Sequence, residues 1–389
     1  MQQILEDPSY NYLLDSLEIA FLPMANIDGM NRGSRYAANG LDLNRDQTKL
    51  MAPESVVLKK AFNDFNPQVA VDFHEYRPYR RDYARLSSYG VTVPHDVMFL
   101  YSGNLNVPES LRRYVQKRFV KNAGESLNQH ELRFHDYFSS TKVFGSIQFN
   151  QGSKNARSSA TSYALANTVS SLVEIRGVGI GRTSFKRRVF STFLVAKSYL
   201  ETAWANPKEV RDELAKARAA KGLAHVTTKR KVEPQPVQMI DIDTEETIAL
   251  DGIVRDAWES SPDLSRSRPS AYIILPENEA IVEKLKILGL EVEQLSTEKT
   301  MKVEAYSVSE YQQFALKYEG VHRQEVKTQL LESNYTFPAG TWIVHTDQQR
   351  GNLAIEVLEP EAPNSLVSFG VFTTAANQLL PYFRYLEND

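Results

Sequence analysis

Three short stretches of this chain hold residues able to do chemistry. Residues 39–46 (NGLDLNRD) set Arg45 beside the amide of Asn44 in a glycine-containing loop, where a fork of N–H donors grips a carboxylate bidentately. Residues 69–73 (VAVDF) form an apolar run that reads as a buried strand and delivers His74 at its C-terminal end. In open α/β sheets that edge is where ligands bind. Residues 169–175 (VSSLVEI) are apolar around one acid, Glu174, and a carboxylate near the end of a buried strand is costly unless it is paired or used. Arg176 shares a strand face with Glu174, so a structural ion pair competes with a catalytic role.

The elements that must position these groups follow from pattern. Residues 17–23 (LEIAFLP) read as a buried strand that feeds the loop at Asn26. A helix is predicted over 52–65, with Pro53 in its first turn and Val57, Leu58, Ala61, Phe62 and Phe65 as its apolar stripe. Strand, loop, helix, strand is the signature of a parallel α/β sheet. An amphipathic helix is expected over 108–123 with Gly124 just past its end, and a long surface loop over 134–155. A long helix over 184–204, with Phe185, Phe193, Ala196, Leu200 and Trp204 toward the core, closes the first domain.

A charged helix over 207–220 precedes a change of composition, where Pro234 and Pro236 mark a linker. The expected organisation is a domain over 1–222, a linker over 223–240 and an accessory domain over 241–389. In the last, 271–275, 277–288 and 290–295 form a β-α-β unit, and strand-like segments follow, LAIEVLEP among them.

Composition sets limits. The chain has 389 residues, 42% of them hydrophobic, a formal charge of −3 and no cysteine. Thiolate metal sites and cysteine nucleophiles are excluded, and the small net charge gives no case for nucleic acid or an anionic membrane. The interleaved Arg77, Arg80, Arg81 and Arg85 with Tyr76, Tyr79 and Tyr83 read as the rim of a cleft. No apolar run is long enough to span a bilayer, and no targeting signal is seen.

The order Asn-x-Asp-Gly (26–29), Gly-x-Asp-x-Asn-Arg-Asp (40–46), a strand ending in Asp-x-His (72–74), then Glu174-Ile175-Arg176-Gly177, resembles the zinc metallocarboxypeptidases of the carboxypeptidase A family, peptidase family M14. A Pro-x-Gly turn at 338–340 and Leu-Glu-Pro at 358–360 resemble the C-terminal extension of a bacterial branch. The resemblance implies a mixed, mainly parallel α/β sheet flanked by helices, with a β-rich α/β accessory domain. It implies zinc, held in part by His74, and a peptide substrate with a free C-terminal carboxylate. Glu174 would be the general base, Arg35 (or its neighbour Arg32) the oxyanion donor, and Asn44 with Arg45 the clamp on the terminal carboxylate. A capping tyrosine is expected soon after Gly145-Ser146-Ile147. Gln151 stands there instead, and Tyr163 is the nearest tyrosine downstream.

The family's first two ligands come from a His-x-x-Glu motif ahead of Asn-x-Asp-Gly, and residues 1–25 contain no histidine. The catalytic domain is thus expected to be incomplete at its N-terminus, with a periplasmic or secreted location if the complete gene carries a signal peptide. His322 and Glu325 repeat the His-x-x-Glu spacing in the wrong domain and read as a decoy. Two other readings stay open: a metal-free protein that binds peptide carboxylates, and an amide hydrolase acting on acylated amino acids.

Overall fold

The computed structural model describes residues 2–79 and 90–387; Arg80, Arg81, Tyr83 and Arg85 of the expected cleft rim lie outside them. The architecture is mixed α/β, with three sheets among the described residues. At the centre lies a four-stranded sheet. Its edge strand Val69–Tyr76 pairs in parallel with Val169–Arg176, which runs antiparallel to Val97–Leu100, and that strand is parallel to Phe134–Asp136. The long helix Phe185–Ala205 and the helical stretch from Glu109 to Asn128 pack with this sheet into the main core, around Phe99, Phe119, Val173 and Tyr199.

The second sheet has five strands and joins the expected domains. Residues expected to be a linker form instead the strand Ala224–Asp241, which makes a long antiparallel hairpin with Thr247–Arg266. Thr247–Arg266 in turn runs parallel to Ser146–Gln151. Pro234 and Pro236 are tolerated because, among the described residues, the outer edge of their strand is paired only at Ile240 and Asp241, so their missing N–H groups break no ladder. The expected loop over 134–155 is likewise mostly strand: Phe138–Val143 and Ser146–Gln151 form a hairpin closed by Phe144 and Gly145, both at positive φ, as a two-residue turn requires.

The third sheet is a six-stranded antiparallel platform that includes Ala271–Ile274, Trp342–His345 and Leu379–Tyr385. Its longest members, Lys299–Tyr318 and Val321–Phe337, form a second long hairpin that turns at Glu319 and Gly320. The segment LAIEVLEP, expected to be a strand, is mostly helix (Gly351–Leu358) with every residue buried. A helix wrapped on all sides shows no amphipathic period, so a short apolar run cannot be told from a strand by pattern.

Other elements shift in detail. The helical stretch expected to end before Gly124 runs through it to Asn128, and the glycine is there because the Phe134 ring lies against it. Residues 17–23 form no strand. They are irregular and largely exposed, and a cleft lies between them and Val69–Tyr76. The helix Pro53–Phe65 forms as expected but buries Ser55 and Lys59, while Leu58, Ala61, Phe62 and Phe65 face that cleft. On Phe185–Ala205 the buried apolar positions are Leu194, Val195 and Tyr199, flanked by buried Ser191, Ser198 and Thr202; Phe185 and Trp204, expected toward the core, are exposed.

Candidate active site

One cleft of about 1280 Å³ gathers Arg35, Asn44, Arg45, His74, Tyr163 and Glu174, the whole set of sequence-predicted site residues. Two parallel strands position the first pair. His74 and Glu174 are register partners, and alternation puts Asp72 and His74 on the same face as Leu172 and Glu174. Asp72 Oδ2 accepts from the Ser159 hydroxyl at 2.6 Å and meets His74 Nε2 at 2.9 Å. Burial alone would depress the imidazole. The Asp72 carboxylate and its hydrogen bond, with Glu174 behind, outweigh it and lift His74 to about 9. Burial likewise works against the Asp72 charge, but His74 and Ser159 hold that carboxyl below its ordinary value.

Glu174 is deep in the cleft and one carboxylate oxygen, Oε2, is buried with no hydrogen-bond partner. Burial raises its pKa, opposed by the charges of His74, Arg35 and Arg45. The rival partner Arg176 is engaged elsewhere, donating to the Val93 carbonyl and stacking 5.4 Å from the Tyr79 ring centroid. Glu174 is thus a carboxylate with a free oxygen and a raised proton affinity, the properties a general base needs.

The 39–46 loop is fixed by its own aspartates. Asp42 Oδ1 accepts from the Asn44 N–H at 2.9 Å, and its Oδ2 holds Arg35 at 2.6 Å. Asp46, fully buried, accepts from the Met51 and Ala52 N–H groups at the start of the Pro53–Phe65 helix and pairs with Lys49 at 2.7 Å. Asn44 Oδ1 accepts from the Ser159 N–H, and Arg45 Nη1 donates to the Asn44 carbonyl. Of the two arginines left open by the sequence, Arg35 lines the cleft, whereas Arg32 does not and its Nε donates to the Asp28 carbonyl.

Tyr163 belongs to the wall. Its ring stacks on Phe62 with centroids 4.0 Å apart and planes at 9°, Lys59 Nζ lies 5.0 Å from the ring centre, and burial pushes the phenol up. His322 and Glu325 lie on a strand, so three residues apart they point to opposite faces and do not meet. Sequence reasoning missed Arg157, Tyr318 and Glu319. Arg157 lines the cleft and lies 4.9 Å from the Tyr318 ring centroid, and Glu319 Oε2 accepts from the Asp42 N–H at 3.0 Å. No local signal marks a contact made by a hairpin tip so distant in the chain.

The donors for a metal are incomplete. Among the described residues no group of three His, Cys, Asp or Glu side chains could hold an ion, and His74 Nε2 is taken by Asp72. Zinc therefore does not fit these residues by themselves.

Comparison with known proteins gives the family. The chain is 31% identical over 382 residues to carboxypeptidase 2 of Trichophyton equinum, an alignment covering 96% of this chain and 70% of that relative. It is 30% identical over 387 residues to carboxypeptidase 2 of Trichophyton rubrum, with the same coverage. The chain belongs to this carboxypeptidase family. These carboxypeptidases are fungal, which lends no support to the bacterial branch suggested by the C-terminal extension. No family model and no solved structure matches the chain. Among the described residues no helix is long and apolar enough to cross a membrane.

Proposed function

We propose that the protein is a carboxypeptidase-type hydrolase that releases the last residue of peptides with a free C-terminal carboxylate. The observation that carries this is the meeting, in one cleft, of the Asn44–Arg45 donors with a buried, half-unpaired Glu174 beside His74. Arg45 and the Asn44 amide hold the terminal carboxylate, which fixes the scissile carbonyl relative to Glu174. Glu174 takes a proton from the attacking water and delivers it to the leaving amine. Arg35, oriented by Asp42, stabilises the oxyanion that forms between those two transfers.

In the zinc peptidases that the sequence resembles, the metal supplies a bound water of lowered pKa. Zinc enters this proposal only where further ligands join His74, and a secreted location only where the gene encodes a signal peptide. The relatives' names are those of hydrolases, which does not favour the metal-free binder.

The test is release of the terminal residue from matched peptides with free and amidated C-termini, with zinc content measured alongside and Glu174→Gln as control. Release from the free form alone, lost in the variant, supports the reading. Equal release from both peptides, or indifference to Glu174→Gln, sinks it.

A further inference from the structure

Arg45 and Arg157 both line the cleft, and among the described residues neither forms an ion pair with a carboxylate. Arg45 donates to the Asn44 carbonyl, and the Arg157 guanidinium lies over the Tyr318 ring. Of the carboxylates that line the same cleft, Asp42 is committed to Arg35, Asp72 to His74 and Glu75 to Arg188, while Glu174, which feels the charge of Arg45, keeps one oxygen unpaired. Glu319 is close enough to be felt by Arg157, but its Oε2 is taken by the Asp42 N–H.

The two arginines are held in fixed relation by the backbone. The Gln47 N–H donates to the Arg157 carbonyl at 3.2 Å, and the Ser159 N–H donates to Asn44 Oδ1 at 2.9 Å, so the chain around 157–159 is tied to the loop carrying Arg45. The Arg157 N–H is tied on its other side to Asn364 Oδ1 at 3.1 Å. Burial makes the Arg157 cation costlier than in water; Tyr318 and Glu319 offset this in part, while Arg45 and Arg323 add to it. Two partly desolvated like charges facing one cavity are a poor arrangement in the empty protein and a good one around a ligand with two negative groups.

We propose that the cleft selects peptides whose last residue is itself acidic, Arg45 taking the terminal carboxylate and Arg157 the side-chain carboxylate of a C-terminal Glu or Asp. Arg157 is then the specificity residue, and Tyr318, on the tip of the long hairpin, is the platform that orients it. This rests on the reading of Arg45 as the terminal-carboxylate clamp.

The experiment is calorimetric binding of four peptides of one body to the full chain, ending in Glu, Gln, Leu, or Glu with an amidated terminus. Binding of the Glu peptide about 10- to 100-fold tighter than the Gln and Leu peptides is expected, a charge-assisted contact against a neutral one. Arg157→Gln is expected to erase that preference. Equal binding of Glu and Gln by the wild-type chain, which needs no variant to fold, overturns the proposal yet leaves the clamp standing if amidation still weakens binding. A Glu preference that survives Arg157→Gln overturns the assignment to Arg157. Indifference to amidation overturns the clamp, and with it the pairing proposed here. Failure of all four peptides to bind overturns both.

Discussion

His74 and Glu174 face the same cleft from adjacent parallel strands, as direct partners in the ladder Val69 to Tyr76 against Val169 to Arg176. The spacing between imidazole and carboxylate is set by backbone hydrogen bonds, so neither side chain needs a flexible loop to find the other. Asp72, two residues before His74, fixes the ring by occupying Nε2. The geometry separates the roles sharply enough to test each one.

Glu174→Gln keeps the shape of the side chain and removes the base. Turnover should fall by about 10²- to 10⁴-fold. Peptide affinity should hold, since the terminal carboxylate is gripped elsewhere. Steady-state kinetics with a binding titration on the same variant decide it; a matching loss of affinity would show that Glu174 supports the cleft rather than the reaction.

Arg45→Ala and Arg35→Ala should part company. Loss of a charge-assisted grip in Arg45→Ala should weaken binding of free-carboxyl peptides by about 10- to 100-fold and leave amidated ones untouched. Arg35→Ala should act on kcat, where one oxyanion donor is worth about 10²- to 10³-fold. Identical profiles for the two would refute the division of labour.

Glu356 gives the chain a pH dependence away from the cleft. Burial raises its carboxyl to about 7, against the hydrogen bonds from Asn106 and Asn104 and the charge of Lys154. Unfolded, the same group titrates near its ordinary value of 4.5. Between these two values the native state holds a proton that the unfolded state has released, so stability falls as pH rises from about 4.5 to about 7 and this contribution is flat above. Denaturant titrations at pH 5 and pH 7.5 should show that loss, and Glu356→Gln should shrink it. An unchanged difference would mean that Glu356 is ionised throughout.

Gly124→Ala tests packing far from the chemistry. A Cβ built there meets Phe134 Cζ at 2.3 Å, inside contact distance, in the middle of a helical stretch. Overpacking of this kind costs about 1–3 kcal/mol, more than the gain in helix propensity returns. Thermal unfolding of the variant should register the loss; a stabilised protein would mean that the ring moves freely aside.

Glu319→Ala should cost about 1 kcal/mol of stability through the lost hydrogen bond to the Asp42 N–H. It should also raise KM, because Asp42 anchors both Arg35 and the Asn44 turn. A stability loss with unaltered KM would make the contact structural only.

What the sequence made legible was local. The strands carrying His74 and Glu174, the helix opened by Pro53 and the helix Phe185–Ala205 declare themselves by apolar runs, a first-turn proline and period, and they stand near where they were expected. The site residues follow because each sits on or beside such an element. Failures came where tertiary context overrides pattern. Gly124 looks like a helix stop but is a seat for Phe134; Pro234 and Pro236 look like linker residues but lie on an open strand edge; the Gly351–Leu358 helix is buried on every side and so has no period to read. Residues 17–23 have a strand's composition without a ladder partner. Asp72 was within reach, since it shares a strand face with His74. Arg157 was not, because its environment depends on Tyr318 and Asn364.

The long hairpin has one more consequence. Its base is woven into the C-terminal sheet through the pairing of Lys299–Tyr318 with Leu379–Tyr385, and its turn rests on the loop of Asp42. At about 3.3 Å per residue a strand of this length works as a rigid strut several nanometres long. A proteolytic nick at Glu319-Gly320 would leave both halves folded, yet uncouple them: the sheet would keep its shape while Arg157 and the carboxylate grip lost their outer support. The two halves share one working part, so trimming the chain to a minimal hydrolase should fail at the C-terminal side first.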